Sequence, residues 1–369
     1  MRVLYDHQVF SLQNAGGGSR YYYQLARYLS NVPDVSTNLL LCSNDTVYPF
    51  TQLASANVRV ISFGNTLLPG GQRYVANEFL ASCIVPFLGK MDVYHPTHHR
   101  VMPLVRACRI VATHHDCTHE RFPHGFRYLD KVLRAKKLLY DRADVIICVS
   151  EASRKDLLNF YAVEEAKTRV IYHGVSSLSR CQEAAERLRA RLRRDYVLFV
   201  GRRGLYKNFA GLLKAFHETR LSDSFDLLAV GGGPLTSAES ALIASLNLSE
   251  SVINIPMASD EILAESYAGA KVFVYPSLWE GFGFPPLEAM SFGCPVVATN
   301  ASSIPEVCQD APFYFEADDP DSFNRALLKA IDDEEARWRA SARGREVAAQ
   351  YRWEKCGEET LALYRECQA

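Results

Sequence analysis

The chain has 369 residues, of which 48% are hydrophobic and 22% are charged, and its formal net charge is −1. This length leaves room for two domains of ordinary size, and the composition is typical of a globular protein with a sizeable core. The near-zero net charge argues against binding of nucleic acid through a whole-protein field. No apolar stretch approaches the ~20 residues that are needed to span a bilayer.

The cysteines and the start of the chain indicate a cellular compartment. Ten cysteines are scattered along the sequence without Cys-x-x-Cys spacing. Cys42, Cys148 and Cys294 lie in or beside apolar segments, which is typical of buried free thiols in a reducing environment. The first residues are too polar and too few for a signal peptide. We therefore expect a cytoplasmic protein.

Predicted strands and helices alternate along the first half of the chain. A strand is predicted at residues 2–5, and residues 19–29 carry apolar side chains at helical spacing. Later elements, in chain order, are strands at 38–42 and 58–63, a helix at 72–88, and strands at 91–94, 109–113 and 144–149. This alternation predicts a mostly parallel sheet that binds ligands at the carboxyl ends of its strands.

Three glycines at 16–18 separate the first strand from the first helix. They match neither the Rossmann fingerprint nor the Walker loop, because the required spacing and the Gly-Lys-Ser/Thr are absent. One interpretation is a flexible turn with Ser19 as the N-cap of the helix. The other is a loop in which the amides of Gly17 and Gly18 approach a diphosphate. The residues alone leave both interpretations open.

Seven of the ten histidines lie between His95 and His124. A metal site is disfavoured, because the spacing has neither the helical His-Glu arrangement of zincins nor a set of thiolates. The second interpretation is positional, since residues 95–99 and 113–116 both follow predicted strands. On this interpretation, Asp116 would hold His115 in one tautomer.

A basic helix is predicted after the histidine cluster. Four cations recur at helical spacing around apolar positions, namely Arg127, Lys131, Arg134 and Lys137. One interpretation is a solvated helix face. The other is a patch that contacts anionic lipid or a lipid-diphosphate acceptor.

The second half begins after a polar segment at residues 176–194. Residues 196–201 predict a buried strand, and a helix is predicted to start near Asn208. The loop between them carries Arg202, Arg203 and Lys207. These cations are either solvated or placed to clamp two phosphates at a strand-to-helix turn.

The most informative stretch is Tyr275–Met290, which follows a predicted strand at 270–274. A glycine-bearing loop with Glu280 leads into a short helix that starts near Pro285 and has Glu288 in its predicted first turn. Such a loop offers amide groups and the positive end of a helix dipole to an anion.

This stretch carries a resemblance to a known family. The run Glu-Gly-Phe-Gly-Phe-Pro-Pro-Leu-Glu-Ala-Met has seven residues between Glu280 and Glu288. It resembles the motif of retaining glycosyltransferases of family 4, among them bacterial polysaccharide and O-antigen mannosyltransferases. The resemblance implies the α/β fold called GT-B, in which two doubly wound Rossmann-like domains face each other across a cleft. It places an acceptor-side domain at 1–175, a nucleotide-sugar domain at 176–345, and a helix at 346–369 that crosses back to the first domain.

The resemblance also implies roles for individual residues. Arg202 and Lys207 would hold the donor diphosphate, Glu280 the sugar hydroxyls and Glu288 the ribose. His115 would contact the sugar from the first domain, and His114 or the 95–99 group would shape the acceptor side. The remaining donor-binding candidates are Gly17, Gly18, Met257, Gly281, Phe282, Gly283 and Phe284. The role of Arg203 is left open.

The expected reaction is retaining transfer of a hexose, with mannose from GDP-mannose as the first choice, to a hydroxyl of a glycan or lipid-linked sugar acceptor. No metal cofactor and no nucleic-acid partner are expected. Peripheral contact with the inner membrane is one expected partner interaction. The alternatives are a UDP-sugar-dependent transferase, a sugar-nucleotide epimerase of the same architecture, and a non-catalytic nucleotide-sugar-binding subunit.

Overall fold

The computed structural model describes residues 1–64, 68, 70–102, 104–126, 128–176, 181–257 and 259–368. The chain divides into two units. The first unit comprises Met1–Gly174 and Arg352–Ala369, and the second unit comprises Val175–Tyr351.

The first unit is built on a parallel sheet of seven strands. These are β1 (Arg2–Tyr5), β2 (Ser36–Cys42), β3 (Val58–Ser62), β4 (Met91–His95), β5 (Ala107–His114), β6 (Val145–Cys148) and β7 (Thr168–Val170). Their order across the sheet is β3-β2-β1-β4-β5-β6-β7, and every pairing is parallel. The predicted strands therefore lie where the apolar segments indicated.

Within the described residues, six helices connect these strands. They are α1 (Gln8–Leu12), α2 (Gly17–Leu29), α3 (Gly70–Ile84), α4 (Thr118–Arg121), α5 (Leu129–Arg142) and α6 (Glu151–Phe160). The prediction of one helix over residues 72–88 was too long, because α3 ends at Ile84 and only a 3-10 turn follows at Val85–Phe87. Pro86 lacks the amide hydrogen that would continue the α-helical pattern.

The second unit repeats this plan with six parallel strands. These are β8 (Tyr196–Val200), β9 (Asp226–Val230), β10 (Val252–Ile255), β11 (Val272–Tyr275), β12 (Val296–Thr299) and β13 (Phe313–Phe315), in the order β10-β9-β8-β11-β12-β13. All residues of β9, β11 and β12 are buried. Strands buried on both faces are expected where helices cover both sides of a parallel sheet.

The helices of the second unit lie between and after these strands. They are α7 (Gln182–Arg189), α8 (Phe209–Glu218), α9 (Ser237–Ser245), α10 (Asp260–Gly269), α11 (Phe284–Ser291), α12 (Ile304–Cys308), α13 (Pro320–Asp332) and α14 (Glu334–Ala348). The predicted domain boundary at residue 345 falls inside α14. Val347 and Ala348 are buried there, and the second unit continues to Tyr351.

The last helix, α15 (Trp353–Glu366), belongs to the first unit. The Tyr364 hydroxyl lies 2.9 Å from the Tyr5 hydroxyl and 2.6 Å from His95 Nδ1. A side chain at Gly357 would overlap the Tyr28 ring, so glycine allows α15 to lie directly against α2. Helix α15 is thus part of the same core as β1 and β4.

In both sheets the strand order reverses at one point, because the first strands are added toward one edge and the later strands toward the other. In the first unit β1 lies between β2 and β4, and in the second unit β8 lies between β9 and β11. Loops that leave neighbouring strands toward opposite faces open a crevice at the carboxyl edge, where doubly wound sheets bind ligands. The structure thus confirms a doubly wound α/β organisation in each unit, and it directs attention to the loops after β8 and β11.

Candidate functional site

The loops after β8 and β11 bring a cation and a carboxylate together. Lys207 Nζ lies 2.5 Å from Glu280 Oε1, and both side chains are largely buried. Lys207 also approaches the hydroxyl of Tyr275, the last residue of β11, at 3.4 Å. Burial, and then the charge of Glu280, raise the pKa of Tyr275 well above its ordinary value, so this hydroxyl keeps its proton. Two of the predicted site residues therefore form one contact at the switch point.

The backbone around Glu280 is held by two serines. The Glu280 amide donates to Ser302 Oγ at 2.9 Å, and Ser303 Oγ donates to the carbonyls of Glu280 and Phe282 at 3.0 and 3.1 Å. These serines were not singled out from the sequence. Their signal was the Ser-Ser pair that follows β12, since hydroxyls at such positions bind nearby backbone groups.

Helix α11 begins where the glycine-bearing loop ends. Its N-cap is Gly283, which has φ +99°, and no side chain caps the helix. A Cβ at this position would lie 2.8 Å from Ile304 Cδ1, so both the backbone angle and the packing favour glycine. Pro285 and Pro286 supply no amide hydrogen to the first turn, and no side chain caps the helix. The positive end of the α11 dipole is therefore the feature that can attract an anion here.

One prediction for this segment was wrong in detail. Glu288 lies in the second turn of α11, not the first, because the helix begins at Phe284. It is buried, and its Oε2 accepts a hydrogen bond from the Tyr267 hydroxyl at 3.1 Å. The Phe282 ring is only 4% exposed and packs toward Tyr351, and the half-buried ring of Phe284 lies 5.3 Å from it, measured between centroids. Donor binding by these two residues stays a prediction.

Arg202 and Arg203 have opposite environments. Arg202 is exposed. Arg203 is buried, and its guanidinium lies 3.0 Å from Glu239 Oε1 and donates to the carbonyls of Gly231, Gly233 and Pro234 at 2.7 to 3.0 Å. Arg203 therefore anchors the glycine turn after β9, which answers the question of its role. Arg202 keeps the predicted freedom to meet a phosphate.

Met257 follows β10 and is 87% exposed. It lies at the same carboxyl edge as Lys207, but β9 separates its strand from β8. The prediction that Met257 helps to bind the donor stays a prediction.

In the first unit, Gly17 and Gly18 form the first turn of α2. The N-cap is Gly16 and not Ser19 as the turn interpretation had it, and Ser19 Oγ donates back to the Gly16 carbonyl at 3.2 Å. A Cβ on Gly18 would lie 3.0 Å from Gln13 Nε2. The glycines thus let the preceding loop pack against the helix start, whose amides no side chain caps.

His115 follows β5 and is half-buried. Its ring lies 5.7 Å from the Tyr21 ring and 5.8 Å from the His173 ring, measured between centroids. Burial lowers the pKa of His115 to about 4, with Asp116 opposing this and Lys136 adding to it. The imidazole is therefore neutral near pH 7.

The predicted contact between Asp116 and His115 is not formed among the described residues. Asp116 Oδ1 instead accepts from the Thr118 amide at 2.9 Å. Burial raises the pKa of Asp116, but the charge of Lys136 and the hydrogen bonds of Thr118 outweigh it, so the pKa is lowered overall. Asp116 is thus a charged neighbour of His115 and does not hold its tautomer.

Two other histidines of the cluster have structural contacts. His95 and His114 were candidates for the acceptor side, but both are fully buried. His95 Nε2 lies 2.7 Å from Thr113 Oγ1, and His114 Nδ1 lies 2.7 Å from the Tyr140 hydroxyl. Within the part of the chain that the structure describes, no three His, Cys, Asp or Glu side chains are grouped as metal ligands.

The basic helix corresponds to α5. Lys131, Arg134 and Lys137 are exposed, whereas Arg127 lies outside the described residues. Leu138 of the same helix is an apolar residue that is 51% exposed. Contact of this face with lipid stays a prediction. No described helix has the length and apolar character needed to cross a membrane.

Comparison with known proteins supports the interpretation of both units. Residues 15–177 match the family described as Glycosyltransferase Family 4, and residues 182–347 match Glycosyl transferases group 1. Over 272 residues, the chain is 32% identical to O-antigen chain mannosyltransferase B of Escherichia coli, covering 70% of each chain. It is 27% identical to O-antigen chain mannosyltransferase RfbU of Salmonella typhimurium, covering 81% of this chain and 82% of the relative.

Solved structures show the same fold. Sucrose-phosphate synthase from Thermosynechococcus elongatus superposes with a TM-score of 0.77 at 21% identity, covering 99% of this chain and 98% of that one. Anabaena Alr3699/HepE in complex with UDP and glucose gives a TM-score of 0.75 at 17% identity, covering 99% and 100%. The fold is therefore the α/β type of the GT-B enzymes. Taken with the sequence matches, the chain belongs to glycosyltransferase family 4 and is a glycosyltransferase.

Proposed function

We propose that this enzyme transfers a hexose, with retention of anomeric configuration, from a nucleoside-diphosphate sugar to a hydroxyl of a glycan or lipid-linked acceptor in surface polysaccharide assembly. Mannose from GDP-mannose is our first choice of donor. The two relatives that are named as O-antigen mannosyltransferases support this choice. The observation that carries the proposal is the contact between Lys207 and Glu280 at the switch point of the second unit.

The residues of this site fit the charges of such a donor. The leaving group is a diphosphate, so the main catalytic demand is stabilisation of negative charge as the anomeric bond breaks. Arg202, Lys207 and the start of α11 would supply that charge, and no metal ion is part of the proposal. Glu280 and Glu288 are acceptors for hydroxyls of the sugar and the ribose. His115, as a neutral imidazole, is assigned to the sugar as well.

The chemical step in this proposal needs no covalent enzyme intermediate. The acceptor hydroxyl oxygen forms its bond to the anomeric carbon on the face from which the diphosphate departs. The bond between that carbon and the phosphate oxygen breaks, and its electron pair stays on the diphosphate. The acceptor proton passes to the departing phosphate oxygen, so atoms and charges balance. Attack and departure on one face retain the configuration.

A UDP-sugar is the second candidate donor. The structural neighbour HepE, which shares the fold at a TM-score of 0.75, is described with UDP and glucose bound. The proposal also includes the glycan or lipid-linked acceptor and a peripheral location of the enzyme at the cytoplasmic face of the membrane. The exposed cations of α5 are the feature that would meet an anionic surface.

A thermal-shift titration with GDP, UDP, ADP and dTDP, in the absence of added metal, tests the donor. A ligand that binds only the native state raises the melting temperature by mass action. We expect GDP to stabilise the protein most. If UDP alone stabilises the protein, UDP-hexoses take the place of GDP-mannose as the proposed donors. The absence of any response at millimolar nucleotide would contradict the donor site.

Transfer assays with the donor so identified then test the site. Glu280→Ala should lower kcat by at least about 100-fold, because a donor contact and the partner of Lys207 are both lost. Glu250→Ala is the matched control, since this glutamate is 81% exposed and pairs with the exposed Arg193 at the surface. Near-wild-type turnover in Glu280→Ala would overturn the assignment. Binding without transfer in the wild-type protein would favour a non-catalytic subunit, and product with an inverted sugar stereocentre would favour an epimerase.

A further inference from the structure

The residues on either side of His115 in the chain make hydrogen bonds to other parts of the first unit. Thr113 Oγ1 lies 3.2 Å from the Tyr21 hydroxyl, and His114 Nδ1 lies 2.7 Å from the Tyr140 hydroxyl. Asp116 accepts from the Thr118 amide. Over the described residues, the His115 imidazole itself makes no hydrogen bond to the protein. The segment is therefore built to leave this one ring available.

A buried ion pair lies directly behind the segment. Lys136 of α5 is only 1% exposed, and its Nζ lies 2.9 and 3.1 Å from the two carboxylate oxygens of Glu120. The same Nζ donates to the backbone carbonyl of Asp116 at 2.9 Å. An ammonium group has three hydrogens to donate, and these three contacts use all of them. Lys136 thus joins the residue next to His115 to the following helix, α4.

The partners of Lys136 are fixed in turn. The Tyr161 hydroxyl donates to Glu120 Oε1. The neighbouring Arg121 makes two hydrogen bonds to the buried carboxylate of Asp156 in α6, at 2.5 and 3.0 Å. Helix α4 has only four residues, too few to be stable by itself. Two sets of contacts therefore hold it, those of Glu120 with Lys136 and Tyr161 and those of Arg121 with Asp156.

Stability alone is a poor reason for such a pair. Removing two charges from water costs several kcal/mol per ion, and well-packed apolar residues in place of a buried pair are often as stable or more so. What apolar residues cannot reproduce is a directed bond to the Asp116 carbonyl. The geometry of the Lys136–Glu120 pair is therefore better explained by a role in fixing the backbone position of Asp116 than by a contribution to folding stability.

We propose that Lys136, held by Glu120 and Tyr161, is a positioning residue for His115, fixing the backbone of the 114–121 segment so that the imidazole is presented in one orientation. The inference rests on the proposed function, which assigns His115 to the sugar. It adds residues that lie outside the recognised motif of the second unit. Lys136 touches no substrate in this proposal and acts only through the backbone of the segment.

The test compares three variants with the wild-type protein. Lys136→Met/Glu120→Gln removes both charges while Gln can still accept from Tyr161, and it avoids an unpaired buried carboxylate. Lys136→Arg keeps the charge but moves the donors, and it serves as the second variant if the double substitution does not fold. Lys355→Met is the matched control, because this lysine of α15 is 55% exposed and pairs with Glu359 one turn away.

Three readouts separate positioning from a merely structural role. The first is the melting temperature. The second is the set of nuclear Overhauser contacts between the labelled His115 ring and the Tyr21 ring, whose centroids lie 5.7 Å apart. The third is kcat and the donor KM, measured separately. The ring contacts report on His115 even if the wild-type protein transfers no sugar, so failure of the proposed function is distinguished from failure of this inference.

We expect the double variant to fold and to keep the donor KM within about twofold. The contact between the His115 and Tyr21 rings should be lost. The kcat should fall by about 10-fold or more, because misplacement of a reacting group by about 1 Å is costly. Unchanged ring contacts in a folded variant would overturn the inference, whatever the rate. Lost ring contacts with wild-type kcat would uphold the positioning and remove His115 from the proposed function. If Lys136→Arg keeps both the ring contacts and the kcat of the wild-type protein, the inference is also overturned.

Discussion

At the scale of single residues, two neighbouring arginines show how position decides role. Arg202 is exposed at the mouth of the loop after β8. Arg203 points inward and makes its hydrogen bonds to a glycine turn roughly thirty residues further along the chain. A buried guanidinium with this many acceptors stabilises the turn, and its loss leaves several carbonyls and Glu239 without their donor.

These environments predict opposite outcomes for the same substitution. Arg203→Met should lower the free energy of unfolding by about 2–4 kcal/mol, since buried acceptors lose their partner. Arg202→Met should change it by less than about 0.5 kcal/mol, as is usual at exposed positions. It should nevertheless weaken binding of the nucleoside diphosphate by about 10-fold, through loss of a charged hydrogen bond.

Chemical denaturation and a nucleotide titration of both variants check this pair of predictions. The two substitutions are chemically identical and adjacent, so each is the control of the other. A stability loss in Arg202→Met, or unchanged stability in Arg203→Met, would contradict the structural assignment. Unchanged nucleotide affinity in Arg202→Met would remove this residue from the proposed diphosphate site.

The site was predictable from the sequence only where its residues are close in the chain or belong to the motif. Lys207 and Glu280 were named in advance, and the structure brings them together. Their serine supports, Ser302 and Ser303, were missed because their partners lie more than twenty residues away. The inward ring of Phe282 likewise depends on Tyr351, which no local pattern reveals.

At the scale of elements, the short helix α11 depends on its first turn. Gly283 has a φ of +99°, a region in which a side chain is strained. The helix start is also the proposed anion-binding element, so its geometry affects both folding and ligand binding. Its two following prolines fix the backbone but supply no amide hydrogens.

Gly283→Ala should therefore destabilise the second unit by about 1–2 kcal/mol from the backbone alone, and further through the contact with Ile304. Combination with Ile304→Val removes the Cδ1 atom that a new Cβ would meet at 2.8 Å. We expect this double variant to recover part of the nucleotide affinity, although not the stability. Gly204→Ala is the control, since open space surrounds that glycine.

Melting temperature and nucleotide affinity of these variants provide the measurement. Equal stability of Gly283→Ala and Gly204→Ala would show that the positive φ carries no cost. Wild-type nucleotide affinity in Gly283→Ala would argue against the start of α11 as a phosphate contact.

The strands were predicted better than the ends of the helices. Strands buried on both faces form short continuous apolar runs, such as β9 and β11, and these are visible without any knowledge of the fold. Helix ends depend on single residues. Pro86 ended α3 earlier than the apolar pattern indicated, and Gly16 displaced Ser19 as the N-cap of α2.

At the scale of the whole molecule, the first unit contains several buried or half-buried histidines whose pKa is lowered. Burial lowers the pKa of His95 and His114 to about 3, and that of His98 and His115 to about 4, against an ordinary value of 6.5. Between these values the unfolded chain binds protons that the native protein does not. The free energy of unfolding must then fall as the pH is lowered.

We expect the first unit to lose stability as the pH falls from about 6.5 toward 4. Each fully buried histidine of this kind contributes up to about 1.4 kcal/mol per pH unit. Carboxylates titrate mainly below this window, so a comparison of pH 7 with pH 5 isolates the histidines. Hydrogen exchange at both values would report on each unit separately. Equal protection of the first unit at pH 7 and pH 5 would contradict the prediction.

The membership of α15 in the first unit also has a consequence for the order of synthesis. A ribosome releases the chain from its N-terminus, and domains generally fold as their sequence emerges. Val175–Tyr351 is continuous, so the second unit has all of its sequence outside the ribosome before the first unit does. Until Trp353–Glu366 follows, the places of Tyr364 beside Tyr5 and His95 stay empty. The unit that begins first is the one that is completed last.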